Sequence, residues 1–263
     1  MSADDGIDLH AIRAAFDRGE FLLKYQPIVS LQDGRCLGAE ALIRWRRANG
    51  LTLDAGSFMP ATDRTPLSGA ITYWVIDTVA MELNAWLDAH PEASVAINIP
   101  PEILGRGGLE YAATKSGLRD RARQLILEIT ERGVPDQQGL DALNSVPETG
   151  ARVALDDTTL SGANLALLMR CRFDFVKVDR LLVHEVGEGQ RPHPPAWLDG
   201  LAALLDRTSL EIVAEGIESV LQSEILKSAG VQWGQGHLFS PPLSAEEFMR
   251  YYEQASGAGR PSS

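Results

Sequence analysis

Residues 21–45 read FLLKYQPIVSLQDGRCLGAEALIRW. Two strand-like runs, 21–29 and 36–45, follow each other with no room for a helix between them. After them the pattern changes. Residues 67–90 carry Ile71, Trp74, Val75, Val79, Leu83, Trp86 and Leu87 at helical spacing, and Pro91 stops the run. Six further short runs rich in β-branched or aromatic residues lie at 95–99, 125–130, 152–156, 175–178, 211–214 and 231–239. Amphipathic stretches at 101–105, 109–123, 137–147, 161–171, 195–208, 219–229 and 244–254 separate or follow them, and 8–19 precedes the first. Eight strands alternating with helices in a chain of 263 residues predict an α/β fold of (β/α)8 type, irregular at its first two strands. A doubly wound open sheet fits the same periodicity.

The remaining sequence sets the frame. Lys plus Arg is 24 and Asp plus Glu is 36, a formal charge of −12, which argues against a broad duplex nucleic-acid footprint. With 44% hydrophobic and 23% charged residues the composition is globular. Two cysteines, Cys36 and Cys171, exclude a disulfide framework and point to the cytoplasm. The acidic start MSADDGID has no apolar region of the signal-peptide kind, and no stretch is long enough for a membrane span. Residues 1–20 are expected to form a lead-in and helix, 21–255 one barrel domain, and 256–263 a disordered tail, with a mobile loop at 187–195.

Almost every strand candidate ends in a polar residue. Glu40, Asn98, Glu128, Asp156 with Asp157, Lys177, Glu215 and Gln235 fall at or near those ends. In a parallel barrel the carboxyl ends of the strands share one rim, so these residues would converge. Clustered carboxylates repel and take up protons unless a cation intervenes. Oxygen donors without His or Cys favour Mg2+ or Mn2+ over zinc, and adjacent Asp156 and Asp157 could bridge two ions. Acidic residues after strands also cap the next helix, which is the competing reading for each one singly.

The ordered motifs resemble the EAL domain, the bacterial cyclic di-GMP phosphodiesterase domain, over 21–252. Glu40-Ala41-Leu42 stands inside AEALIRW, preceded by YQPIV at 25–29. SFMPATD at 57–63, IN at 97–98, LEITE at 127–131, DD at 156–157, KVDR at 177–180, AEGIES at 214–219 and GQGHLFSPPL at 234–243 follow in the family's order. The resemblance implies a modified TIM barrel with an antiparallel first strand, and hydrolysis of cyclic di-GMP to linear pGpG with Mg2+ or Mn2+. It implies Glu40, Asn98, Glu128 and Asp156 as ligands of one metal. Asp156 and Asp157 would hold a second, with Glu215 beside it. Lys177 would hold the attacking water and Gln235 would help order it, while Glu131 would anchor the loop after the Asp pair. Arg44 would meet a substrate phosphate, with Gln26 and Leu42 on the substrate side. A homodimer and a regulatory protein partner are further implications.

Each residue has a plainer reading. Arg44 could be a surface arginine beside Arg46 and Arg47, and Gln235 a turn cap. Glu218 and Gln222 read as helix-start residues, His237 as packed or solvent-facing, and Asp179 as orienting Lys177. The chain also departs from the family. The loop after the Asp pair usually reads F-G-T-G-Y-S-S, and here residues 158–164 read TTLSGAN. Thr159 and Ser161 stand where the glycines belong, and Pro100 follows where the family has Ser. The altered loop supports an alternative, a weak or silent EAL-type receptor or protein-interaction module. A barrel enzyme acting on another phosphate ester would share the metal logic.

Overall fold

The structure is a computed structural model, which describes residues 7–130, 135–158, 167–187, 195–205 and 208–257. The two opening runs form β1 (Phe21–Ser30) and β2 (Cys36–Arg46), paired antiparallel with Gln26 opposite Glu40. From β2 the sheet runs parallel through β4 (Ser94–Ile99), β5 (Leu125–Ile129), β6 (Arg152–Thr158), β7 (Phe175–Val178), β8 (Glu211–Ala214) and β9 (Trp233–Gly234). Pairing of β9 with β1 closes a barrel of eight strands, and β3 (Thr52–Asp54) hangs on the outer edge of β2. Closure rules out the open doubly wound sheet and matches the modified TIM barrel with an antiparallel first strand.

Helices cover the outside. They are α1 (Leu9–Asp17), α2 (Pro66–Ala89), α3 (Gly108–Ser116), α4 (Gln137–Thr149), α5 (Arg180–Glu185), α6 (Ala196–Leu205), α7 (Val220–Ser228) and α8 (Ala245–Gly257). Local chemistry fixes their ends. Thr65 accepts from the Leu67 amide ahead of Pro66 at the start of α2, and Ser219 with Gln222 forms a reciprocal capping box on α7. α2 turns Ile71, Val75, Val79, Leu83 and Leu87 into the core against the barrel wall. Each such burial contributes roughly 1.5–3 kcal/mol. Among the described residues no helix is long and apolar enough to cross a membrane.

Some boundaries differ from the sequence expectation. The helix read over 109–123 breaks at Gly117, whose φ of +79° ends α3, and a 3-10 stretch (Leu118–Gln124) follows. The piece at 101–105 is a single 3-10 turn, Pro101–Ile103. The last strand run shrinks to Trp233–Gly234, and Gln235 after it still bonds to the Ala214 carbonyl at the end of β8. β3 and α5 were not anticipated. The first half of the helix expected at 161–171, the centre of the 187–195 loop and residues 258–263 of the tail lie outside the described residues.

What positions the site is the two-residue period of the strands. Ile28, Ala96, Ile126, Ala154, Phe175 and Val213 form one apolar cluster inside the barrel. Two residues nearer the mouth on the same strands, and just past the end of β8, stand Gln26, Asn98, Glu128, Asp156, Lys177 and Glu215. A sealed apolar floor therefore carries a polar storey directly above it.

Candidate active site

Lys177 is the hub of that storey. The residue is 1% exposed, and its Nζ lies 2.6 Å from Glu215 Oε1, 3.0 Å from Glu128 Oε2 and 3.1 Å from Glu40 Oε2. Asp156 Oδ1 is 2.9 Å away, close enough for an ion pair but without hydrogen-bonding geometry, so that oxygen is buried with no hydrogen bond. Glu40 is held from two further sides. Asn98 Nδ2 donates to its Oε1 and Gln235 Nε2 to its Oε2, each at 2.8 Å. The Gln235 Oε1 is also buried without a partner.

The charges do not balance, since four carboxylates face one ammonium. Burial disfavours the Lys177 charge, but Asp156, Glu128, Glu215 and Glu40 together outweigh it and raise its pKa well above the ordinary lysine range. Burial likewise opposes ionisation of Glu40, yet the ammonium and the two carboxamides hold that carboxyl down at about 2. Glu128 goes the other way: burial and the neighbouring Glu40 charge push it well above the ordinary range. Glu215 is also raised, by burial and by repulsion from Asp156 and Glu40, against the pull of Lys177. Without another cation the ring keeps protons on part of its carboxyls.

Among the described residues no group of three or more Asp, Glu, His or Cys side chains is spaced to hold a metal ion as it stands, because the ammonium fills the centre of the ring. The donor set nonetheless suits one. Excess buried negative charge, an Asp156 oxygen and a Gln235 oxygen lacking hydrogen bonds, and oxygen donors throughout are what a hard divalent ion requires.

The ring opens into a cavity of about 410 Å³. Gln26 and Leu42 line it, and Gln26 Nε2 donates to the Ser240 carbonyl at 2.5 Å. Arg44 does not line it. Its Nε lies 2.8 Å from Asp54 Oδ1 on β3 and its Nη1 donates to the Ile43 carbonyl at 3.0 Å. The backbone of Asp157 belongs to β6, its side chain is outside the described residues, and so is Glu131. Gln222 is a capping residue, as its helix-start reading has it, whereas Glu218 lines the cavity and His237 is exposed at its edge. Asp179 caps α5 by accepting from the Leu181 amide at 2.6 Å. Arg180, Asp63 and Glu102 also line the cavity and were not singled out from sequence. Asp63 and Arg180 close two quoted motifs, SFMPATD and KVDR, and that position was the available signal.

The EAL domain family model matches residues 9–242. The chain belongs to the EAL domain family. Among relatives, the Escherichia coli K12 protein named probable cyclic di-GMP phosphodiesterase PdeB is 32% identical over 254 residues, covering 93% of this chain. The Pseudomonas aeruginosa bifunctional diguanylate cyclase/cyclic di-GMP phosphodiesterase MucR is 30% identical over 246 residues, covering 92%. The chain spans 47% of PdeB and 36% of MucR, so it corresponds to part of each. Among solved structures, the PaMucR phosphodiesterase in its c-di-GMP complex superposes with a TM-score of 0.80 at 30% identity, covering 91% of this chain and 98% of that one. The EAL enzyme Bd1971 bound to cAMP and cyclic di-GMP gives 0.81 at 27% identity, covering 92% of this chain and 67% of that one. In this EAL domain the Glu of the Glu40-Ala41-Leu42 tripeptide supplies the most heavily bonded carboxylate of the ring.

Proposed function

We propose that this chain is a metal-dependent phosphodiesterase that opens cyclic di-GMP to linear pGpG. The observation that carries the reading is the convergence of Glu40, Glu128, Asp156 and Glu215 within 3.1 Å of one buried ammonium, beneath a cavity large enough for a nucleotide. In this reading Glu40, Asn98, Glu128 and Asp156 hold one Mg2+ or Mn2+, and Asp156 with Asp157 and Glu215 hold a second. Bound there, such ions supply Lewis-acid stabilisation of charge on the phosphoryl oxygens and lower the pKa of water.

The chain's own groups do the rest. Lys177, fixed as a cation by the surrounding carboxylates, donates from Nζ to the attacking water and holds it in place. It is not the base, because a lysine with a raised pKa has no free lone pair. Gln235, whose Oε1 lacks a partner, accepts a hydrogen bond from the same water and aims it. The carboxylates take the water proton as the P–O bond to water forms; the P–O bond to one ribose oxygen breaks, and that oxygen leaves as a hydroxyl on gaining a proton returned from the carboxylates or from solvent. Glu131 keeps the role the family resemblance gives it, toward the loop that follows the Asp pair. Gln26 and Leu42 bound the substrate side, and Arg44 reaches a phosphate only on leaving Asp54.

The test is to incubate the purified chain with cyclic di-GMP and Mg2+ or Mn2+ and to follow pGpG. Product is expected from the wild type and none from Glu40→Ala; turnover by that variant would overturn the metal assignment. The loop sequence at 158–164 favours a second reading, a receptor that binds without cleaving. Binding without product would select it, and neither binding nor product would select a protein-interaction role.

A further inference from the structure

We propose that a second, apolar cavity on the outside of the barrel, between α3 and α4, is a binding site for a medium-chain fatty carboxylate. The inference is independent of the phosphodiesterase reading. This cavity has a volume of about 250 Å³ and shares no lining residue with the one at the barrel mouth. Its back wall is the outer face of β4 and β5, where Ile97 pairs with Leu127. Parallel strands of a barrel are covered on both faces, yet Leu127 in the middle of β5 is only half-buried. The cover falls short where α3 ends at Gly117 after nine residues and the chain returns to β5 as a tighter 3-10 stretch. The gap is also propped at one end. Arg106, in the loop before α3, bonds to Asp136 and Gln138 at the start of α4, and Gln138 Nε2 donates to the Gly105 carbonyl at 2.7 Å.

The lining selects an apolar chain. Besides the wall, Leu109 and Ala113 of α3 and Ala142 and Val146 of α4 line the space. The Ser145 and Thr149 hydroxyls are already donated to the Ala142 and Val146 carbonyls, so water finds few partners there. An engineered apolar cavity of about 150 Å³ takes benzene, and one of about 250 Å³ has room for a chain of about eight to ten carbons. The charge comes from Arg119, the cation among the described lining residues. Its described polar partner is the uncharged Thr114 hydroxyl, a long 3.5 Å away, whereas nearby Arg121 is paired with Asp88. Glu110 also lines the cavity, but it sits in the first turn of α3, where the helix dipole offsets its charge. The Arg119 guanidinium is therefore the group left to take a carboxylate head while the chain fills the apolar space.

The experiment is calorimetric titration of the full chain, below the micelle concentration, with octanoate, decanoate, dodecanoate and tetradecanoate, and with decanol and decylamine. Wild-type affinity should rise about fourfold per added CH2 up to about ten carbons and then level off, because the cavity is full. Decanol and decylamine should each bind about tenfold more weakly than decanoate, and Arg119→Gln should weaken decanoate about tenfold while leaving decanol unchanged. Ala113→Leu fills the cavity from α3 and should weaken decanoate at least about 100-fold at an undiminished Tm; Ala142→Leu fills it from α4 and carries the same expectation if the first variant folds poorly. No decanoate binding to the wild type, affinity that keeps rising through tetradecanoate, or wild-type affinity in either folded leucine variant would overturn the site. Decanol or decylamine binding as tightly as decanoate would overturn the carboxylate assignment. All of these outcomes leave the dinucleotide reading of the barrel mouth where it stands.

Discussion

Lys177 shows how far one residue's sequence context goes. That it sits at a strand end among acidic strand ends is legible, because the two-residue period and the barrel rim decide it. That four carboxyls close directly on its ammonium is not, because this depends on side-chain lengths and on the register of β2, β5, β6, β7 and β8. Arg44 shows the opposite outcome. Its pairing with Asp54 depends on β3, a three-residue strand too short to carry any periodic signal. The hub position carries a direct prediction. Lys177→Met leaves buried carboxylates without their cation, so the metal-free chain should lose about 3 kcal/mol of stability, and turnover should vanish. Urea titration in chelator reads the first effect and pGpG release the second. An unchanged urea midpoint would mean that protons taken up by the carboxyls already offset the loss of the ammonium.

At the scale of elements, the strands were readable and their ends less so. The runs that became β1, β2 and β4–β8 are apolar and β-branched enough to stand out, whereas β9 is only two residues long and the Gln235, Gly236 and His237 that follow it line the cavity. The helix expected through 123 fails at Gly117, where a left-handed residue lets the amide bond back to the Thr114 carbonyl. Helical spacing on either side hid that stop. One close approach between strands is also carried by a glycine. A Cβ on Gly38 would fall 1.8 Å from the Ser94 carbonyl oxygen, so β2 and β4 approach as closely as they do because position 38 is bare. Gly38→Ala must push those strands apart two residues below Glu40. The expected cost is about 3 kcal/mol, with a lowered Tm both in chelator and in Mg2+. A Tm within a degree or two of wild type would show that the barrel bends around the methyl without cost.

For the molecule as a whole, the polar storey makes folding answer to protons and, on the proposed metal reading, to divalent ions as well. Glu128 and Glu215 have folded-state pKa values raised above the ordinary 4.5, so the stability linked to their neutral forms is present at low pH and is lost as pH rises through the folded values. Glu40 runs the other way: its pKa of about 2 lies below 4.5, so its contribution is complete above 4.5 and is lost only as pH falls toward 2. The raised pKa of Lys177 matters only above 10.5. Between about pH 5 and about pH 8 the two raised glutamates therefore set the sign, and the chain in chelator should become less stable as pH rises, by up to about 1.4 kcal/mol per pH unit for each proton held only in the folded state. On the proposed reading, a divalent ion bound by the same oxygens would replace those protons and bind the folded chain alone. Millimolar Mg2+ or Mn2+ should accordingly flatten the slope and raise the urea midpoint most at the alkaline end, where the ring carries its greatest uncompensated charge. Midpoints measured across that range with and without metal decide the matter. A flat profile in chelator would mean that the carboxyls ionise without strain, and a metal effect equal at all pH values would place the ion somewhere other than this ring.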